Sequence, residues 1–333
     1  MKKTKHILQS LFWTAVAVLL LAFCLRSIDW ASFAQALRQC RWSWILWAML
    51  AGVLTFWFRS ARWALLLRSI DASVSDVAAF NAYNLANASN MLIPRSGELV
   101  RIGAVVRHSS TDEAGKRILS FDKVLGTVVV ERLWDGITIL AMTGVLLFAR
   151  WDQFGGYLTH VVAALKAKAL WGWVLGATLL LLGLLLPVLF RKFRRQGKLW
   201  AFVEGIKNGL SSSLHLKESG RFLLYTVLIW VFYWLICVCI LLALKDIEAF
   251  SALTATDAFL LMLAGTLSSV IPVPGGFGAY HGVVGGFLLQ FHGIPMSLGM
   301  IYATLNHESH VLVQVVLGIE AYLHETLFQK KRQ

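Results

Sequence analysis

Charge is scarce in this chain. Asp, Glu, Lys and Arg make up 15% of its 333 residues, against about 25% in soluble domains. With 58% of residues hydrophobic, the deficit excludes an ordinary water-soluble globule and makes lipid the main solvent. Acid is scarcer than base: 18 Asp and Glu stand against 31 Lys and Arg, a formal charge of +13. No nucleic-acid-binding motif accompanies that excess, so no nucleic-acid partner is expected. The basic residues fall between apolar runs, where they act as topology signals and contacts for anionic lipid. Cysteine is limited to four. Cys24, Cys237 and Cys239 lie in apolar runs and Cys40 beside one. None has zinc-ligand spacing, which argues against both a disulfide framework and a cysteine metal site. The chain lacks a G-x-S-x-G elbow, a Walker loop and an H-E-x-x-H helix. His307 and His310 are three apart, not four. No catalytic residue, metal or cofactor is therefore assigned.

What is abundant is long apolar sequence and tryptophan, with 14 Trp residues of the kind that favours membrane interfaces. A hydrocarbon core needs about 20 helical residues. Runs of that order occupy residues 7–25, 43–67, 124–149, 170–190, 222–244 and 296–320. The first reads as an uncleaved span, because signal-peptide cores are usually about 7–15 residues. Two stretches are less ordinary. Residues 77–93 carry Asn81, Asn84, Asn87 and Asn90, and residues 257–291 are broken by Pro272-Val273-Pro274-Gly275-Gly276. The expected fold is all-α: a polytopic membrane bundle of about eight helices in a single domain, with broken or re-entrant segments near 77–95 and 257–291. Parity does not separate two short spans from one re-entrant hairpin over 257–291. Residues 191–221, with apolar positions at helical spacing among Lys and Arg, read as a basic amphipathic helix, either interfacial or packed on the protein. Lys2, Lys3, Lys5 and the terminal Lys330-Lys331-Arg332 favour two cytoplasmic termini. Arg59, Arg62 and Arg68 are taken with the same cytoplasmic set.

Three constellations carry chemistry. The first is Asn90-Met91-Leu92-Ile93-Pro94-Arg95-Ser96-Gly97-Glu98-Leu99-Val100-Arg101. Pro94 ends a helix, and Gly97 permits either a close approach or a left-handed turn. If a helix follows, Arg95, Glu98 and Arg101 recur every three residues, and a phosphate is the natural ligand of such arginines at a helix start. A plain solvated loop is the competing reading. The second is Glu131-Arg132-Leu133-Trp134-Asp135. Asp135 lies about 16 Å into the run that begins at residue 124, where an ionised side chain costs about 2.5–3.5 kcal/mol on lenient scales. Glu131 shares its helix face. A substrate or proton site and a structural ion pair with Arg132 are both open. The third is the turn of Pro272, Pro274, Gly275, Gly276 and Gly278, followed by His281. Irregular backbone at membrane depth survives only against protein or a wet cavity, and broken helices of this kind form transporter sites. An interfacial turn is the alternative.

Together, residues 90–101, 130–135 and 271–278 resemble the membrane region of lysylphosphatidylglycerol synthases and the wider flippase-like family built on it. The resemblance spans roughly residues 10–320. It implies handling of phospholipids or polyprenyl-linked lipids in the cytoplasmic membrane, through the translocation half alone, without the soluble lysyl-transferring domain. It differs where many members carry an acidic residue after the Pro-Gly-Gly turn, here Tyr280 and His281, and an Arg near His307-Glu308. Anionic or phosphate-bearing membrane lipids are the expected partners, and a homo-oligomer is left open. A membrane-embedded lipid transferase and a scaffold of envelope lipid assembly are the alternatives to a flippase. The paired breaks also suggest that the Ser89–Gly97 and Ser268–Gly276 stretches meet and frame one headgroup site.

Overall fold

The computed structural model describes residues 30–93, 95–151, 155, 217–271 and 273–330. The runs 7–25 and 170–190, nearly all of the basic stretch 191–221, and Pro94 and Pro272 lie outside the described residues. The chain divides into two units, Met1–Val128 with Leu216–Gln333, and Val129–His215. Among the described residues the secondary structure is helical, with no strand beyond one isolated bridge between Thr111 and Arg117.

Ten α-helices follow one another among the described residues. They are α1 Trp30–Gln39, α2 Trp42–Arg68, α3 Asp76–Leu92, α4 Gly97–Val106, α5 Phe121–Ala149, α6 Ser219–Ala243, α7 Glu248–Ser251, α8 Ala255–Ser268, α9 Ala279–His292 and α10 Met296–Lys330. Three of them, α2, α5 and α6, are long and apolar enough to cross a membrane. The protein is an all-α membrane bundle.

Local chemistry sets the helix ends. Ser75 caps α3 by accepting from the Ala78 amide at 3.1 Å, and Asp76 in the first turn is ion-paired with Arg68 at 2.5 Å. Helix α3 stops at Ile93, whose backbone is extended (φ −130°), as steric conflict with a following proline requires. The Asp257 carboxylate accepts from both the amide and the hydroxyl of Thr254 to start α8. Beyond Ser268 the chain breaks into a short 3₁₀ turn, Pro274–Gly276, before α9 begins. Gly275, Gly276 and Gly278 all have φ between 58° and 79°, a region that residues with a Cβ rarely enter. The break is therefore written into those three positions.

In the first unit α2 packs along α6, and α10 lies against α1, α2, α3, α6 and α9. Trp63, Phe56, Tyr302, Ile229 and Ile240 are almost fully enclosed. Contact between α9 and α10 is close because a glycine faces a glycine: a Cβ on Gly299 would lie 3.0 Å from Gly285 Cα. Small residues at such crossings let backbones approach where hydrophobic burial gives no drive. The outer faces remain apolar, with Leu312, Val316, Ile319 and Leu323 exposed at helical spacing on α10. A stripe of that kind is unfavourable in water and suits acyl chains.

The loops outside the spans are tied by one carboxylate. Asp71, buried between α2 and α3, accepts from the amide and hydroxyl of Ser73 at 3.1 and 2.6 Å. It also accepts from the Ser109 hydroxyl and from the amide and hydroxyl of Ser110, each at 2.9 Å. Burial alone would push its pKa up, but the donors from Ser73, Ser109 and Ser110 outweigh burial and hold it at about 2. A depressed acid stabilises the fold above its ordinary pKa and loses that contribution as pH falls toward the folded value. Asp71→Ala is expected to lower folding stability by about 2–3 kcal/mol at neutral pH, since it strands buried donors. The wild type should lose this advantage between about pH 4 and pH 2. Thermal unfolding of detergent-solubilised protein across pH measures both. A melting temperature equal to wild type at pH 7 would show that the carboxylate does not hold these loops.

Candidate functional site

The first interruption is held by side chains that replace the missing helix. Asn90 Oδ1 accepts from the Gly97 amide at 2.8 Å. The Ser96 hydroxyl lies 2.5 Å from that of Ser89 and within hydrogen-bond reach of the Ser89 and Ile93 carbonyls, at 3.0 and 2.8 Å. The left-handed residue is Arg95 (φ 62°), not Gly97. Gly97 instead provides the close approach: a Cβ there would collide with the Ala86 carbonyl and lie 2.5 Å from Asn90 Nδ2. Because the Gly97 amide is already used by Asn90, this donor at the start of α4 is taken within the protein.

The three-residue recurrence of Arg95, Glu98 and Arg101 holds for only two of them. Arg95 precedes the helix and is exposed. Glu98 and Arg101 are ion-paired at 2.6 Å, with Arg101 buried. The Arg101 guanidinium also lies 4.9 Å from the Trp63 ring centroid and 5.6 Å from that of Tyr83.

Two further arginines, read from the sequence as cytoplasmic markers, are inside the bundle. Arg59 and Arg62 on α2 are buried, about 14 and 9 Å along the axis from the helix end at Arg68. Arg59 donates to the Tyr233 hydroxyl at 3.2 Å and lies within 6 Å of the Tyr83 and Tyr233 rings. Arg62 donates to the Thr226 hydroxyl at 3.3 Å and lies near the Phe222 ring. Aromatic faces attract a cation without requiring a second charge. Tyr83, from the broken segment, is shared by Arg59 and Arg101. Only long-range packing reveals this grouping, because Arg59, Tyr83 and Arg101 are far apart in sequence.

The second interruption is fastened to α10. His307 Nε2 lies 2.8 Å from the Gly275 carbonyl, and its Nδ1 lies 2.9 Å from Glu308 Oε1. The rings of Phe277, Tyr280 and His281 surround it at centroid distances of 5.0, 5.2 and 5.1 Å. His281 is buried on α9. One nitrogen or oxygen from each of His281, His307 and Glu308 falls within 4.8 Å of the others, a set able to hold a metal ion. His310, three residues beyond His307, instead packs against Phe56 and Tyr233. His307 and Glu308 gave no local signal, since their partner His281 lies on another helix.

The two interruptions are neighbours. Helix α3 packs against the Pro274–Gly276 turn, and α10 touches both. A Cβ on Gly318 of α10 would lie 2.7 Å from Ala88 Cβ. Glu131, Arg132 and Asp135 belong to the second unit. There Glu131 and Asp135 sit one turn apart on α5 and are buried, and Arg132 is exposed.

The model of the family described as Lysylphosphatidylglycerol synthase TM region matches residues 10–318. The match covers nearly the whole chain, and the chain belongs to that family. No curated protein and no solved structure matches it.

The steric role of Gly97 gives a paired test. Gly97→Ala should sharply reduce the yield of monodisperse protein, because neither the Ala86 carbonyl nor Asn90 can retreat without opening the turn. Gly103→Ala, on the same helix with open space around its Cβ position, should match wild type. Equal behaviour of the two variants in size-exclusion chromatography would contradict the close-packed turn.

Proposed function

We propose that this member of the lysylphosphatidylglycerol synthase TM region family moves a phospholipid or polyprenyl-linked lipid across the cytoplasmic membrane as a flippase-like transporter. One observation carries the reading: two interrupted helical segments pack together beside buried arginines, all within a bundle with apolar outer faces. Interrupted helices expose backbone dipoles at depth, which is the usual way transporters bind charged substrate in the bilayer.

The ligand that suits these groups is anionic. Arg95 stands exposed at the mouth of the first turn, held in a strained backbone by the Asn90 and Ser96 hydrogen bonds. A guanidinium placed this way pairs with a phosphate bidentately. Glu98, ion-paired with Arg101, supplies balancing charge that need not leave the protein during transport. The basic ends of the sequence, Lys2-Lys3-Lys5 and Lys330-Lys331-Arg332, support an orientation with both termini in the cytoplasm.

A transporter changes the sidedness of a lipid and leaves its chemistry intact, which separates it from a transferase. In proteoliposomes carrying a headgroup-labelled anionic phospholipid, the full chain should move label between leaflets, and the recovered lipid should be unaltered. Arg95→Gln should slow that movement about tenfold, the loss of one charge-assisted contact, and Asp135→Asn should also lower it. Both variants should remain folded. Movement no faster than in empty liposomes, or a chemically altered lipid, would refute the proposal.

A further inference from the structure

The Gly275 carbonyl constrains the protonation of His307. A carbonyl only accepts, so at 2.8 Å His307 Nε2 must carry the hydrogen. In a neutral ring Nδ1 is then a lone pair. It faces Glu308 Oε1 at 2.9 Å, and an ionised carboxylate offers only lone pairs as well. Two acceptors at that separation repel unless something positive lies between them. A proton satisfies this pair but leaves the third member unexplained. His281 sits 3.8 Å from the same Oε1 through Nε2, too far for a hydrogen bond, and its Nδ1 is buried without a hydrogen-bond partner.

We propose that His281, His307 and Glu308 bind a zinc-class divalent metal ion through three protein ligands, with one coordination position open. Histidine nitrogen and carboxylate oxygen bind such an ion at about 2.0–2.2 Å, so two ligands in a tetrahedron sit about 3.4 Å apart. The observed 2.9 and 3.8 Å to Glu308 bracket that value, and the three ligand atoms all lie within 4.8 Å of one another. For His307 the outer shell is also in place. A metal-bound histidine commonly donates its other N–H to a carbonyl, which fixes the ring and its tautomer, and the Gly275 carbonyl fills that role. The tight approach of Gly276, whose Cβ would lie 3.3 Å from His307 Nε2, and the rings of Phe277 and Tyr280 hold the imidazole in position.

The charge fits. Both histidines are buried, and the Glu308 side chain is 37% exposed. Two neutral imidazoles and one carboxylate leave a dication with a net charge of +1, so the open position takes an anionic oxygen or water. The ion would also lock the second interruption to α10 by compensating a carboxylate about 18 Å along that helix. This inference does not depend on transport, because it concerns metal binding alone.

The test uses the full chain, purified in detergent with a tag that contains no histidine. After chelator treatment and dialysis, Co2+ alone is added and its visible d–d absorption is followed. One equivalent per chain should bind with the strong bands of tetrahedral coordination, and Zn2+ should displace it. Glu308→Gln and His281→Gln should each weaken binding at least tenfold, with helicity and elution volume unchanged. The proposal is overturned by either of two results: no saturable Co2+ binding below about 100 μM, or binding that survives in both variants, an adventitious surface ion. Should His281→Gln fail to fold, Glu308→Gln decides alone, since its side chain is half-exposed and changes little in shape.

Discussion

A peptide group in hydrocarbon must find its hydrogen bond within the protein, because no water is there to provide it. Both helix breaks of this bundle answer to that constraint. Where α3 ends at Ile93, the side chains of Asn90 and Ser96 reach across the gap and bond its backbone. Where α8 ends and the glycine turn begins, the imidazole of His307 reaches in from α10 to the Gly275 carbonyl. The breaks are thus satisfied interruptions. The residues that satisfy them are fixed in place by the groups they bond.

The same constraint governs charge. A guanidinium in the bilayer interior needs partners to be tolerated. Arg59, Arg62 and Arg101 have hydroxyls of Tyr233 and Thr226, the Glu98 carboxylate and the faces of Tyr83, Tyr233, Phe222 and Trp63. This polar interior lies next to the interruptions, because α3 contributes both Tyr83 and the first break. Fold and site are therefore one arrangement: the helix that breaks also carries the ring shared by two arginines.

Much of this was legible in the sequence. Apolar run length identified the membrane bundle, and proline with glycine identified both breaks, because these residues act locally on φ and on the amide hydrogen. The glycine-rich turn was the clearest case, since Gly275, Gly276 and Gly278 all adopt left-handed φ. What was not legible depends on contacts between distant segments. Arg59 and Arg62 look like loop-end charges, and only the packing of α2 against α6 and α3 shows them enclosed. The left-handed residue of the first turn is Arg95, although glycine would be the default choice, because strain there is held by the surrounding hydrogen bonds. His307 and Glu308 show no motif spacing because His281 comes from another helix, α9.

The central claim is that the paired interruptions and their arginines hold the phosphate-bearing headgroup of a lipid. Native mass spectrometry of protein released gently from its own membrane tests it most directly. The account predicts chains carrying one retained phosphate-bearing lipid that resists collisional activation better than added neutral lipid. Chains that emerge bare, or that retain neutral and anionic lipids equally, would contradict it.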